Sequence, residues 1–392
     1  MLNAVYTGLS GLKAYSEGLQ TVSNNVANLN TAGFKSSDPR FSELFYLDRP
    51  PLGSAGGNSQ SGNGVTYSHS RLNFSQGDIR PSDEQLDLAL NGRGFLILRN
   101  GSEQVYMRTG RFQQSASGTI VERESGYQLG LLKDGRVVGA SIDGRNISNP
   151  QATTKISFAD NLSSTGETHT ISGIDTYDAA GAKQTLSIAF TALGADHPGK
   201  WKVEVKNASG STLKEFEISF IGSIIAPGSE RVDVDIGSGA TAHVVTFDFG
   251  SITHLSTGTT SSMKVGSKDG YGTGEISFIS VDESGELLIN YSNGQKTSLG
   301  LVAVADFADP SQLRLAGNSQ FKAPDDARYR LLKSGQDGAG TVVGKSQEAS
   351  NVDLSGEFGE LILVQRGFQA SSQVLNMANE MIQQLFDLQG RR

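Results

Sequence analysis

Residues 1–30, MLNAVYTGLSGLKAYSEGLQTVSNNVANLN, and residues 354–388, LSGEFGELILVQRGFQASSQVLNMANEMIQQLFDL, carry a helical hydrophobic period that the rest of the chain lacks. In the first, Leu2, Val5, Leu9 and Leu12, then Tyr15, Leu19, Val22, Val26 and Leu29, alternate at threes and fours, with one stammer between Leu12 and Tyr15. In the second, Leu354, Phe358, Leu361, Val364, Phe368, Ser371, Leu375, Ala378, Ile382 and Leu385 do the same, again with one stammer. Such a narrow seam needs a partner helix. Each stretch is a poor helix alone: Gly8, Gly11 and Gly18 in the first and Gly356, Gly359 and Gly367 in the second each cost ~1 kcal/mol relative to Ala. The two ends are therefore expected to fold only when packed, either against each other or, since a lone pair with polar faces buries too little to hold Gly-rich helices, mostly against neighbouring copies.

Between the ends the pattern changes. Gly makes up 48 of 392 residues, and Thr, Ser and Val runs are frequent, which suits turn-rich antiparallel sheet. Period-2 alternation marks Ser187 to Phe190, Trp201 to Val205, Phe216 to Phe220, Val232 to Ile236 and Val244 to Phe249. The expected class is mainly β with terminal α-helices: two nested β domains, sandwich-like or barrel-like, plus a helical coiled-coil region formed by the ends. The expected boundaries are an N-terminal helix over 1–35, an extended, irregular connector over 36–73 and a first β domain over 74–146. A second β domain is inserted over 147–279, the first resumes over 280–346, and a C-terminal helix occupies 347–392.

Composition bounds the chemistry. A net charge of −8 with no basic stripe argues against nucleic acid. With no Cys there is neither a disulfide framework nor a thiolate metal site. No apolar run approaches the ~20 residues of a membrane span, and residues 1–10 hold no Lys or Arg of a cleaved signal. The five His residues show no i, i+3 or i, i+4 pair for zinc, and Asp233 and Asp235 lack the rest of a calcium loop. Ala339 to Ser346 fits a loosened phosphate-binding loop but precedes no helix directly, and reads better as an ordinary connection. No catalytic, cofactor or metal residue is assigned, and an enzyme is not expected. Ser350 or Asn351 is the expected cap of the C-terminal helix. Arg366, within the second seam, is expected to tie neighbouring helices together.

One stretch resembles a known family. The first helix closes on Ala27, Asn28, Thr31, Gly33, Phe34 and Lys35, which reproduces every fixed position of the ANxxTxGFK signature of the bacterial flagellar rod and hook axial proteins. The resemblance continues through Leu86 to Phe95 and Tyr106 to Phe112. It returns at Glu348, Ser350, Asn351 and Asp353 of SNVDL, and at Gln365, Arg366 and Gln369 of QRxxQ. Leu96, where the family usually has an aromatic, and the turn Pro81 to Glu84 depart from the pattern. The long insertion favours the hook type of this family over the shorter rod type.

That resemblance implies a structural subunit of a helical homopolymer, with the terminal helices as inner tube and the β domains outside them. The seam residues of both ends would form the assembly interface. The uncharged positions Gln20, Thr21, Ser23, Asn24, Gln369, Ser372, Gln373 and Asn376 would face a channel. It implies neighbours in the rod, the hook cap and the hook–filament junction, export without signal cleavage by the flagellar type III apparatus, and a place in the flagellum outside the cell. The alternatives are a distal rod-type protein or, from another class, a secreted monomeric β-domain binding protein.

Overall fold

The computed structural model describes residues 2–44, 47–49, 59–194, 196–237, 242–325 and 327–389. Part of the expected connector, including Phe45, Tyr46, Pro50 and Pro51, lies outside the described residues, as does the side chain of Leu2. The chain is mainly β with a helix at each end: α1 spans Leu2–Ala27 and α2 spans Leu354–Gln389. It divides into two compact units. The first comprises Met1–Asp143, Ile279–Leu288 and Ser298–Arg392; the second comprises Gly144–Phe278 and Ile289–Thr297. The segment 289–297 thus groups with the second unit, whereas the sequence pattern placed it in the first.

The first unit is built on antiparallel pairs. Asp87–Asn91 lies between Thr109–Gln114 and Thr341–Gly344. Phe95–Asn100 pairs with Glu103–Met107 through Leu96↔Met107, and also with Val304–Phe307 and Gln128–Lys133. The stretch Thr341–Gly344 is therefore a strand, and no phosphate-binding loop exists there. Phe95, Tyr106, Phe307 and Phe321 fill the core beneath these strands in edge-to-face contacts, Tyr106 and Phe307 at 4.8 Å between ring centroids.

The second unit is a nine-stranded, nearly closed barrel-like sheet. Its strands run antiparallel except Lys155–Asn161, which lies parallel to His243–Thr253 through Ile156↔Phe247. The alternation visible in sequence becomes alternation of burial. Trp201, Val203 and Val205 point inward, to a core shared with Phe158, Phe190, Phe247 and Phe249. Side chains close the gap between Thr168–Tyr177 and Lys264–Lys268: Lys268 Nζ donates to Asp175 O at 2.8 Å, and His169 Nε2 lies 2.8 Å from Met263 O.

The expected irregular connector is in part a β-hairpin. Ser37–Glu43 pairs antiparallel with Val65–Leu72. It lies along α1: the Phe41 ring stands 5.3 Å from that of Tyr15, and Thr21 Oγ1 and Tyr67 Oη are 2.7 Å apart. Thr21 is thus occupied by the hairpin rather than free to face a channel. The sequence concealed this hairpin because Pro39 and interspersed charges break the period-2 signal.

Candidate functional site

The two terminal helices pack against each other, antiparallel, within one chain. Gly8 lies beside Ser371 and Leu375, Gly18 beside Val364, and Asn25 Nδ2 donates to Glu357 Oε1 at 2.8 Å. The expectation that partners come mostly from other copies needs correction to this extent, and so does the choice of face. The stripe that α1 buries is Gly8, Gly11, Ala14, Gly18, Val22 and Asn25, at spacings of 3, 3, 4, 4 and 3. Small residues bring the backbones close enough that a Cβ added at Gly11 would lie 2.5 Å from Ser371 Oγ. Tyr15 fits against Gly367, where an added Cβ would lie 2.5 Å from the ring.

The larger apolar residues of the predicted seam are displaced around α1 from this stripe. Val22 is buried; Val5, Leu12, Leu19 and Val26 are half-buried, and Leu9 is 54% exposed. Leu29 lies beyond the helix, in the turn that ends it. On α2, Val364 and Ala378 are buried, and Leu361, Ser371, Leu375 and Ile382 half-buried, as a seam requires. Leu354, Phe358, Phe368 and Leu385 are exposed instead. Gln365, Arg366 and Gln369 are also exposed. At Gly359 an added Cβ meets nothing within 4 Å. Gly359→Ala should therefore stabilise the isolated subunit by about 1 kcal/mol, read as a shift in denaturant midpoint at unchanged slope.

A knot of polar groups fixes the base of the helix pair. Glu348 is wholly buried: Lys35 Nζ lies 2.6 Å from its Oε1, and Arg108 Nε lies 3.0 Å from its Oε2. Lys35 also donates to Ser75 O at 2.6 Å, and Arg108 to the carbonyls of Gly94 and Leu90 at 2.6 and 2.9 Å. The backbone amides of Gly77 and Gly33 donate to Glu348 Oε1 and Glu348 O. Burial pulls the Lys35 pKa below the ordinary lysine value; Glu348 opposes the shift and Arg108 adds to it. One carboxylate thus ties three chain segments together: the end of the N-terminal motif, the first β domain and the approach to α2.

The motif residues serve this junction. Gly33 has φ +69°, and a Cβ there would meet Thr109 Cγ2 at 2.8 Å, which excludes a larger residue. Phe34 is buried beside it, and Thr31 Oγ1 donates to Asn28 Oδ1 at 3.0 Å across the turn that follows Ala27, the last helical residue. Asn25, which sequence reading passed over, accepts from Ser37 N and donates to Ser37 O, as a neighbouring strand would. Asn351 is not a cap: its Oδ1 accepts from Ser36 N, and its Nδ2 donates to Asn73 O at 2.7 Å. Ser350 Oγ accepts only from Val352 N. The cap of α2 is Asp353, whose Oδ1 accepts from Ser355 N at 3.0 Å. Neither Arg108 nor the constellation around Glu348 could be picked out beforehand, because their partners lie hundreds of residues apart.

Comparison with known proteins places these two features. Residues 5–35 match the family model of flagella basal body rod proteins, and residues 344–388 match that of the C-terminal region of flagellar basal body rod FlgEFG proteins. Together they bracket α1, its closing motif, Glu348 and α2. Both ends of the chain are similar to the flagellar rod and hook proteins. Among those proteins, the flagellar hook protein FlgE of Brucella suis biovar 1 (strain 1330) is 29% identical over 402 residues, 97% of this chain and 98% of that one. The flagellar hook protein FlgE of Borreliella burgdorferi is 25% identical across 99% of this chain and 100% of that protein. That of Escherichia coli (strain K12) is 26% identical across 97% and 98%. The crystal structure of Helicobacter pylori flagellar hook protein FlgE2 aligns at TM-score 0.46 and 12% identity, over 69% of this chain and 100% of that one.

Proposed function

We infer that this chain is a structural subunit of the flagellar hook, which polymerises into a flexible helical tube carrying torque from rod to filament. The observation that carries this reading is the extent of the likeness: relatives named as hook proteins align over the inserted second unit as well as both ends. The surface of the helix pair supports it. Tyr6 and Leu9 of α1 and Phe358, Ile362, Leu363 and Met377 of α2 remain exposed, an arrangement suited to helices of further copies. Contacts of this kind between unlike faces build an open helical assembly when the rotation from copy to copy does not close. No helix among the described residues is long and apolar enough to cross a membrane. The neighbours along the axis would be rod, hook-cap and hook–filament junction proteins, and the flagellar type III apparatus would export the chain.

The test is polymerisation. Purified full-length protein should form tubes in high salt, visible by electron microscopy. Removal of residues 354–392 should abolish them while leaving the second unit folded, as followed by its single tryptophan, Trp201. Persistence of tubes without α2 would sink the reading.

A further inference from the structure

His254 directly follows the strand His243–Thr253 of the second unit, and its half-buried ring is held on three sides. It stacks on Phe220, 4.4 Å between centroids and 11° from parallel. Trp201, 2% exposed in the barrel core, donates from Nε1 to His254 Nε2 at 3.3 Å. The Gly222 carbonyl accepts from the other nitrogen of the ring. An indole N–H can only donate, so Nε2 must offer a lone pair, and the bond to Gly222 then requires the hydrogen on Nδ1. The surroundings therefore select one species, the neutral Nδ1–H imidazole.

These contacts govern a turn. Ile221 pairs with Ile224 across Gly222 and Ser223, with Gly222 at φ +65°, and Ile224 pairs in turn with Thr253. The backbone amide of His254 donates to Ser223 O at 3.0 Å, so one residue grips both central residues of the turn, Ser223 through its backbone and Gly222 through its ring. Ile221 and Ile224 are 65% and 63% exposed, whereas their neighbours Phe220 and Ile225 are buried in the core.

A second proton on the ring breaks this arrangement. The imidazolium would point an N–H at the indole N–H, two donors with no acceptor between them. Trp201 is fixed among core side chains, so the ring is the part free to leave, and the turn goes with it. Burial holds the ring below the ordinary histidine pKa, with the Gly222 carbonyl working against the shift. The charged and titratable groups of the surrounding elements are engaged elsewhere. On the Trp201 strand Lys200 is exposed and Lys202 is paired with Glu204 and Glu215; on the Phe220 strand Glu217 is exposed. Asp196 and His197 are exposed in the loop before Trp201, Asp248 on the strand leading to His254 is bonded to Lys155, and Asp160 on the adjoining strand to Lys264. Because the folded chain keeps the ring neutral to lower pH than the unfolded chain does, the stabilisation is complete above about pH 6.5 and is lost as pH falls through the lowered value.

We propose that His254 is an acid-released latch: neutral, it clamps the Ile221–Ile224 turn to Trp201 and Phe220; protonated, it lets go of Trp201 and frees the turn. The latch lies wholly within the second unit and does not depend on polymerisation. Trp201 is the one tryptophan of the chain and reports on it directly. In full-length protein its fluorescence and near-UV dichroism should change in one step as pH falls below about 6.5, with the far-UV signal constant. The step should vanish in His254→Gln and persist in His197→Gln. A step that survives in His254→Gln, a flat wild-type titration, or a step that coincides with loss of the far-UV signal would each overturn the proposal. Wild-type protein labelled with 15N in histidine covers the case in which His254→Gln does not fold. One ring should carry its hydrogen on Nδ1 near neutral pH and gain the second in parallel with the fluorescence step; the absence of any ring in the Nδ1–H form would reject the latch.

Discussion

Glu348→Gln should destabilise the first unit by about 3–5 kcal/mol, the usual loss when one partner of a buried ion pair is removed. Three charges meet at this point, two positive and one negative, and all three are at most 4% exposed. Loss of the carboxylate leaves Lys35 and Arg108 as adjacent buried cations, each held only by carbonyls. Loss of Lys35 is a different event. Lys35→Met leaves the Arg108–Glu348 pair intact and locally neutral, and removes a cation whose burial already lowers its pKa. The expected order is therefore Glu348→Gln well below Lys35→Met, and Lys35→Met modestly below wild type. Chemical denaturation followed by far-UV dichroism measures it, with a shift in thermal midpoint of ~2–4 °C per kcal/mol for a unit of this size. Equal losses in the two variants would show that Glu348 does not act as the common centre.

Gly11→Leu should separate α1 from α2 and abolish polymerisation while leaving both β units folded. The added Cβ alone would lie 2.5 Å from Ser371 Oγ and 3.2 Å from Ser371 Cβ, in a seam with little slack, since a Cβ at Gly8 would already lie 3.3 Å from the Ser371 carbonyl oxygen. Overpacking at such a site costs ~1–3 kcal/mol. Helices weakened by six glycines have little reserve against that loss. Hydrogen exchange of the monomer should show α1 and α2 losing protection together while strands such as Lys200–Asn207 keep theirs. Tubes of normal length from Gly11→Leu protein would mean that the intrachain helix pair is not the assembling unit. Ser371→Ala, which removes the nearest atom, should partly restore assembly when combined with Gly11→Ala.

The hydrophobic periods located the helices and the alternating strands because burial of one face forces such spacing locally. Leu2–Ala27, Leu354–Gln389 and the strands of the second unit follow from it, and the glycine of the closing motif reflects a backbone conformation that Gly33 alone supplies cheaply. The same local logic misjudged the face of α1. It ranks residues by apolar bulk, so it chose Val5, Leu9 and Leu12, while the buried stripe is small: Gly8, Gly11, Ala14 and Gly18. A small stripe is legible as spacing, but whether a backbone comes close enough to need it depends on the partner helix, hundreds of residues away.

By itself the sequence determined the helical ends, the β-rich middle and the motif that carries the likeness to flagellar rod and hook proteins. Those are properties of neighbours in the chain, set by period, turn chemistry and fixed spacing. Tertiary structure alone decided that Asp353 rather than Ser350 or Asn351 caps α2, that residues 37–72 include a hairpin along α1, and that Lys35 and Arg108 share Glu348. The hairpin and the charged knot join groups whose separation along the chain leaves no local trace, and in the knot the partner is chosen by burial: a charge removed from water takes whatever complementary group the fold brings within reach.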